Sequence, residues 1–225
     1  MNNSVTDSIF DAIERNDYYL LKSLLTDHTD HVNDKNSHGI SFLHKACELG
    51  NMECLNILLA NPNINLNIKD PSRNTPLFTA ILNNHVNCVQ ALLSHPAINI
   101  NIKNAEKKTP LHIAVLTDNI KCVKLLTEHN TISSTIKDAE GKSAYHLADA
   151  STSRHKQDIL LLLDPGGDNI NYQDQNGNTA LHRATMEQNI EQVKELLLDD
   201  DINVNHKNNN GETALHYAAG AGNTD

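Results

Sequence analysis

The sequence predicts an all-α solenoid of stacked helix-turn-helix units with projecting β-hairpin loops, and three observations carry that prediction. A Ser or Thr opens the same phrase six times: Ser41-Phe-Leu-His-Lys-Ala, Thr75-Pro-Leu-Phe-Thr-Ala, Thr109-Pro-Leu-His-Ile-Ala, Ser143-Ala-Tyr-His-Leu-Ala, Thr179-Ala-Leu-His-Arg-Ala and Thr213-Ala-Leu-His-Tyr-Ala. The steps between phrases are 34, 34, 34, 36 and 34 residues. Behind each phrase apolar residues fall at helical spacing, and between units runs an Asn-rich stretch closed by a polar turn. Self-similarity at such a period marks one supersecondary unit stacked on copies of itself, because a single unit has too little apolar surface to fold alone.

Seven units can be placed. The first, within residues 1–38, lacks the phrase but keeps its register: Ile9, Phe10, Ala12, Leu20, Leu21, Leu24 and Leu25 supply a core, and Asp11, Glu14 and Arg15 beside them make it a polar N-terminal cap. Five units occupy residues 39–212. In the one opened by Thr109, the Thr oxygen serves free backbone N–H groups at a helix start, and Pro110 sits where its missing N–H costs nothing. Leu111, Ala114 and Val115 form the inward stripe, Asp118-Asn119 breaks the helix, and Ile120, Cys122, Val123, Leu125 and Leu126 line a second one. An extended stretch such as Ile98-Asn-Ile-Asn-Ile-Lys then leads to a turn such as Asp174-Gln-Asn-Gly, where Gly177 tolerates a positive φ. The fifth unit carries two extra residues within Asp149-Ala-Ser-Thr-Ser-Arg-His-Lys, which loosens stacking there. They are either a neutral surface insertion or a bend or contact loop. Its second helix stops at Asp164-Pro-Gly-Gly-Asp. Residues 213–225 hold one helix of a seventh unit, so the natural chain is expected to run beyond Asp225.

Eighteen Lys and Arg against 28 Asp and Glu give a formal charge of −10, which opposes nucleic-acid binding because that affinity rests on cations displacing counterions. The start has no basic segment followed by an apolar run, and no stretch approaches 18 apolar residues, so no membrane association and a cytoplasmic location are expected. Cys54, Cys88 and Cys122 recur 34 residues apart in an apolar slot, too far from one another for a disulfide, and read as buried reduced thiols. Cys47 beside Ala46 reads as a small core residue.

No reaction centre emerges, and neither catalysis nor a cofactor is expected. Gly141-Lys-Ser lacks the preceding Gly of a phosphate loop, since Ile136 stands there. His28 and His31, interleaved with Asp27 and Asp30, read as a solvated loop rather than a metal site, and Asn2-Asn-Ser has no secretion signal to make it a glycosylation acceptor.

Phrase, period, paired leucines and the Asp-x-x-Gly turn together resemble the ankyrin repeat across nearly the whole chain. The resemblance implies that the phrase histidine, here His44, His112, His146, His182 and His216, ties adjacent hairpins together. Phe78 cannot do so. The hairpin's recurring Asn stands at Asn33, Asn67, Asn101, Asn171 and Asn205, with Thr135 breaking the series. Arg73 and Lys107 replace the turn glycine kept at Gly39, Gly141, Gly177 and Gly211, so strained or differently shaped hairpins are expected around Pro71 and Glu106.

The resemblance further implies a protein partner held in a concave groove between hairpin tips and first helices. Register gives the contact candidates Ile40, Glu48 and Leu49; Asn74, Leu82 and Asn83; Glu106, Lys108, Leu116 and Thr117; Lys142 and Ser151; Asn178, Met186 and Glu187. Leu49, Leu82, Leu116 and Met186 are either exposed apolar anchors or ordinary packing. Acidic candidates outnumber basic ones, so a monomer that binds a neutral or basic partner with apolar anchors is expected. Similar arrays occur in proteins that intracellular bacteria deliver into host cells, and the Asn- and Ile-rich spelling suits an AT-rich bacterial genome. The alternative is the targeting arm of an enzyme whose catalytic domain follows Asp225.

Overall fold

A computed structural model describes residues 3–134, 136–163, 170–171, 173, 176–199 and 202–220. Thirteen α-helices form among these residues. Six pairs are α1 Asn3–Glu14 and α2 Tyr18–Asp27, α3 Phe42–Leu49 and α4 Met52–Leu59, α5 Pro76–Leu82 and α6 Val86–Leu93, α7 Pro110–Leu116 and α8 Ile120–Thr127, α9 Ala144–Asp149 and α10 Lys156–Leu163, and α11 Ala180–Met186 with α12 Ile190–Leu196. A last helix, α13, spans Ala214–Gly220. The architecture is the all-α one expected, and the projecting hairpins are hydrogen-bonded turns with one β-bridge, Lys35 to Ser41, among the described residues. Thr135, the Asp164–Asp168 run and the Asp174-Gln175 part of its turn lie outside the described residues.

The chain divides into two compact units, residues 1–155 and 156–225. In the first, α1, α3, α5, α7 and α9 pack on one another in order, and α2, α4, α6 and α8 form a second row. In the other, α11 packs against both α12 and α13.

In five of the six helix pairs, all but α9 and α10, the two helices are separated by one left-handed residue at a constant register: Asn16, Gly50, Asn84, Asp118 and Gln188, with φ of 52°, 70°, 57°, 54° and 56°. Asn and Asp tolerate this conformation better than most side chains, which is why Asp118 stops α7. The following residue caps the second helix: Asp17, Asn119 and Asn189 accept from the backbone N–H of Leu20, Cys122 and Gln192.

Leu111, Ala114, Val115, Cys122, Val123 and Leu126 are buried as their spacing predicts, while Ile120 and Leu125 lie half-buried at the stripe's edges. In the first repeat Ile9, Phe10, Ala12, Leu21 and Leu25 are core, but Leu20 is exposed and Leu24 only half-buried. One residue before Leu21 is about 100° around the helix, which turns Leu20 outward, and Ile13 supplies the missing core contact from α1. All four cysteines are buried free thiols, and desolvation raises them, Cys54 and Cys122 to about 11. The insertion between α9 and α10 is tied to the preceding repeat. Ser153 Oγ donates to one Asp118 carboxylate oxygen and His155 Nδ1 lies 2.8 Å from the other. These two bonds, that from Ser153 first, hold Asp118 below the usual carboxylate range against a smaller desolvation effect.

The phrase works as a relay. In the repeat opened by Thr179, the backbone N–H of Thr179 donates to His182 Nδ1 at 3.2 Å, the threonine Oγ1 lies 2.8 Å from the same nitrogen, and the His182 backbone N–H donates back to Oγ1. A backbone N–H can only donate, so Nδ1 is bare and the ring proton sits on Nε2. Nε2 then donates to the carbonyl of Glu212 at 3.0 Å. His44 reaches the Asn74 carbonyl and His112 the Lys142 carbonyl at the same distance. At His146 and His216 the phrase's own bonds, to Ser143 and Thr213, are kept.

Phe78 occupies the histidine slot fully buried, and Thr75 Oγ1 is left as a buried oxygen without a partner. An unsatisfied buried hydroxyl costs about 1–3 kcal/mol. Replacing Thr75 by the isosteric Val therefore removes a penalty, whereas the same change at Thr179 removes a working cap. We expect Thr75→Val to leave the urea midpoint unchanged or raise it, and Thr179→Val to lower stability by about 1 kcal/mol.

Burial disfavours the charged ring and lowers the pKa of both His44 and His112, against a smaller opposing effect of the carbonyls that they meet. Asp70 and Asp138 also oppose the lowering, and nearby lysines, Lys35 for His44 and Lys103 and Lys108 for His112, add to it. As pH falls below the ordinary histidine value of about 6.5, the unfolded chain takes up these protons first. Stability is thus full above that pH and declines as pH falls through it toward the lowered folded values. Chemical denaturation at pH 7.5 and 5.0 should show the decline, and His44→Gln with His112→Gln, which keeps a capping-box acceptor without a titrating ring, should flatten it.

Candidate functional site

The candidate surface, taken in each unit by itself, comprises the hairpin tips and the outward residues of the first helices. Each tip closes with the same pair of backbone bonds. Asp70 N–H donates to Asn74 O and Arg73 N–H to Asp70 O, both at 2.9 Å, and the pattern repeats at Asn104, Lys107 and Lys108, at Asp138, Gly141 and Lys142, and at Asn208, Gly211 and Glu212. The first residue of the turn adds its side chain: Asp138 Oδ1 accepts from the N–H groups of Glu140 and Lys142. Burial works to raise the Asp138 pKa, but those backbone bonds and the nearby His112 and Lys108 hold it below the usual range.

Successive tips are bonded to one another, Ala105 N–H to Ser72 O at 3.0 Å, Ala139 N–H to Glu106 O at 3.1 Å, and Asn209 N–H to Asn176 O at 2.9 Å. Below them the recurring Asn side chains form a ladder. Asn67 Nδ2 donates to Ala97 O and its Oδ1 accepts from Asn99 N–H; Asn33 does the same to Asn63 and Asn65, and Asn101 to Thr131 and Ser133. Within each unit these bonds join successive tips rather than leaving them independent loops.

At Arg73 and Lys107 the hairpins are strained, as one of the two expectations had it, but not differently shaped. Their φ of 63° and 58° reproduce the 76–78° of Gly39, Gly141, Gly177 and Gly211, and the turn bonds are unchanged. The turn is kept and the strain is confined to one backbone angle at each position.

Leu82 and Leu116 stand 51% and 52% exposed, with Met186 at 48% and Leu49 at 39%, so these four are surface rather than core. Glu48, Asn83, Glu106, Thr117, Lys142 and Glu187 are exposed, and Ile40, Asn74, Lys108 and Ser151 half-buried. Lys108 pairs with Glu106 and Lys142 with Glu140, so these tips neutralise themselves. Beside Leu82 opens a cleft of about 440 Å³, walled by Ile81, Val86, Thr117 and Ile120 between the inter-helix turns of neighbouring repeats. In the unit 156–225 a second cleft of about 330 Å³ lies among α11, α12 and α13, lined by Leu181, Ala184, Val193, Leu197 and Leu215.

A family model described as ankyrin repeats (3 copies) matches residues 9–104, 98–174 and 149–225. The chain belongs to the ankyrin-repeat family. No curated protein matches the sequence. Ankyrin repeats are generally protein–protein interaction modules and typically non-catalytic. Among the described residues no helix is long and apolar enough to cross a membrane, and no group of three or more His, Cys, Asp or Glu side chains is placed to hold a metal ion. His31 instead pairs with Asp34, its Nδ1 2.7 Å from the carboxylate.

One candidate of this ankyrin surface is corrected. Asn178 is buried, its Oδ1 accepting from Asn208 Nδ2 at 3.0 Å, because the residue before the phrase lies under the next hairpin. Sequence reasoning missed Glu14 as a surface neighbour of Glu48: Lys45 Nζ lies 3.3 Å from a carboxylate oxygen of each. The signal was the register, since Glu14 precedes Glu48 by 34 residues.

A non-glycine residue with φ near +60° costs about 1 kcal/mol that glycine does not. Arg73→Gly and Lys107→Gly are each expected to raise the denaturation midpoint modestly, by about 1 kcal/mol or less after the greater freedom of glycine in the unfolded chain is counted. Gly177→Ala should lower it, since an added Cβ would lie 2.7 Å from the backbone nitrogen of Asn209.

Proposed function

We propose that this chain is a protein-binding module that holds a protein partner on the face of its first helices and hairpin tips, with no catalysis of its own. The observation that carries the reading is the exposure of Leu82 and Leu116 on neighbouring first helices, over a tip row locked by backbone bonds. Apolar side chains left in water on a rigid platform lower the cost of association, because little has to be ordered when the partner arrives.

The contact set is Ile40, Glu48, Leu49, Asn74, Leu82, Asn83, Glu106, Lys108, Leu116, Thr117, Lys142 and Ser151 in the first unit, and Met186 and Glu187 in the second. The formal charge of −10 supports a neutral or basic partner over nucleic acid, with the chain acting as a monomer. Buried reduced thiols support a reducing, cytosolic setting. The Asn- and Ile-rich spelling suits an AT-rich bacterial genome, and the likeness to arrays that intracellular bacteria deliver into host cells extends the reading to a host cytosol.

The test is an affinity capture from eukaryotic lysate with the full chain beside a Leu82→Lys, Leu116→Lys variant whose circular dichroism matches the parent. A protein retained by the parent and lost by the variant supports the reading. Identical retention by both sinks this face as the working surface.

A further inference from the structure

We infer that the partner accepted by α1, α3, α5, α7 and α9 is an amphipathic α-helix bearing on one side, a heptad apart, two basic residues followed by two bulky apolar ones. This rests on the functional reading above and names its partner class. The seventh residue after the phrase's opening position is Glu14, Glu48, Leu82, Leu116 and Ala150 on five successively packed helices. All five are exposed. They form one file that changes from acidic to apolar along its length.

The neighbouring positions follow the same change. Positions four, seven and eight read Asp11, Glu14, Arg15, Lys45, Glu48 and Leu49 in the first two repeats, five of six charged. In the next three repeats the nine equivalents carry no charge, among them Thr79, Asn83, Ile113, Thr117 and Leu147. At the charged end two half-exposed carboxylates share one ammonium, Lys45 between Glu14 and Glu48, so room for added positive charge remains. At the other end Leu82 and Leu116 have no charge at positions four, seven or eight of their helices, and the nearby Asp118 is already held by Ser153 and His155, which favours apolar partners.

Spacing chooses the backbone. Packed helices lie about 8–10 Å apart, and a heptad of α-helix advances about 10.5 Å, close enough for one partner side chain per repeat. An extended strand also matches that step at every third residue, but it would bring bare N–H and C=O groups onto the face. Side chains beside the leucines already turn donors inward, Asn83 Nδ2 to Thr79 O and Thr117 Oγ1 to Ile113 O, so few donors are left there for bare carbonyls. A helix brings its own backbone bonds and needs none.

The test uses three synthetic helix-favouring peptides read by fluorescence anisotropy against the full chain. One carries Lys, Lys, Leu, Leu at successive heptad positions, the second Glu in place of Lys, and the third has its Leu pair moved to the opposite side. The first is expected to bind about tenfold more tightly than the second, with the preference shrinking at high salt and vanishing in Glu14→Gln, Glu48→Gln. Leu82→Lys, Leu116→Lys should weaken it about thirtyfold or more. Equal binding of the Lys and Glu peptides, with the leucine dependence intact, overturns the bipartite helix and leaves the leucine face standing. Binding undiminished by the leucine variant overturns both readings. Absence of binding by any of the three overturns the helical partner class, while the lysate capture still decides the face.

Discussion

A neutral imidazole held between its own helix start and the next repeat's carbonyl is the interaction on which the rest of the array depends. Nδ1 accepts within the repeat and Nε2 donates out of it, at His44, His112 and His182 alike. One ring thereby satisfies a local need, an orphan donor at a helix N-terminus, and a distant one, a carbonyl 30 residues on. Because the two bonds leave from opposite sides of a rigid ring, the spacing between repeats is set by covalent geometry rather than by packing alone. The Asn ladder repeats the device with an amide, whose oxygen and nitrogen face different atoms of the same neighbouring turn. Both devices need groups that are neutral, which explains how the array can bury the rings of His44, His112 and His182 without burying charge.

The helices, their order and their inward faces were legible because each is written by short-range rules: a hydroxyl at the cap, Pro at the first turn, apolar residues at helical spacing. Leu20 escaped because two adjacent leucines both fit a stripe, and only the packing of α1, which contributes Ile13, decides between them. At Arg73 and Lys107 the choice between a strained turn and a differently shaped one stayed open for a related reason. A sequence shows that glycine is gone, but not that neighbour-to-neighbour bonds, Ala105 to Ser72 and Ala139 to Glu106, over-determine the turn enough to force φ positive. The insertion's contact with Asp118 was hidden because Ser153 and His155 lie 35 and 37 residues away from it and belong to no motif.

On the site, exposure at Leu49, Leu82, Leu116 and Met186 could be posed from sequence but not decided, since a leucine ending a short helix can equally fold back onto its neighbour. Asn178 shows the limit of register arguments. The residue before the phrase lies between a hairpin and its successor, so its exposure depends on what the next hairpin places over it, here the Asn208 amide. Asn74 occupies the same position and meets Asn104 in the same way, its Oδ1 accepting at 3.2 Å, yet it stays half-buried.

Why the outward file changes character along the stack follows from the division of labour inside each repeat. Positions that face the neighbouring helices, Leu43, Leu77, Leu111 and Leu181 among them, are buried and cannot vary without leaving a cavity. The phrase's own hydroxyl and imidazole are tied to the hairpins. What remains on the first helix is the outward set at positions seven and eight, and there the side chains run from Glu14 and Glu48 to Leu82 and Leu116, all of them exposed. Chemistry that varies only where the fold permits it is chemistry available for selecting a partner, and a one-dimensional stack can display it only as an order along a line. A partner recognised through such an order must itself be linear over several repeats, which ties its identity to the sequence of its contacts more than to any one of them.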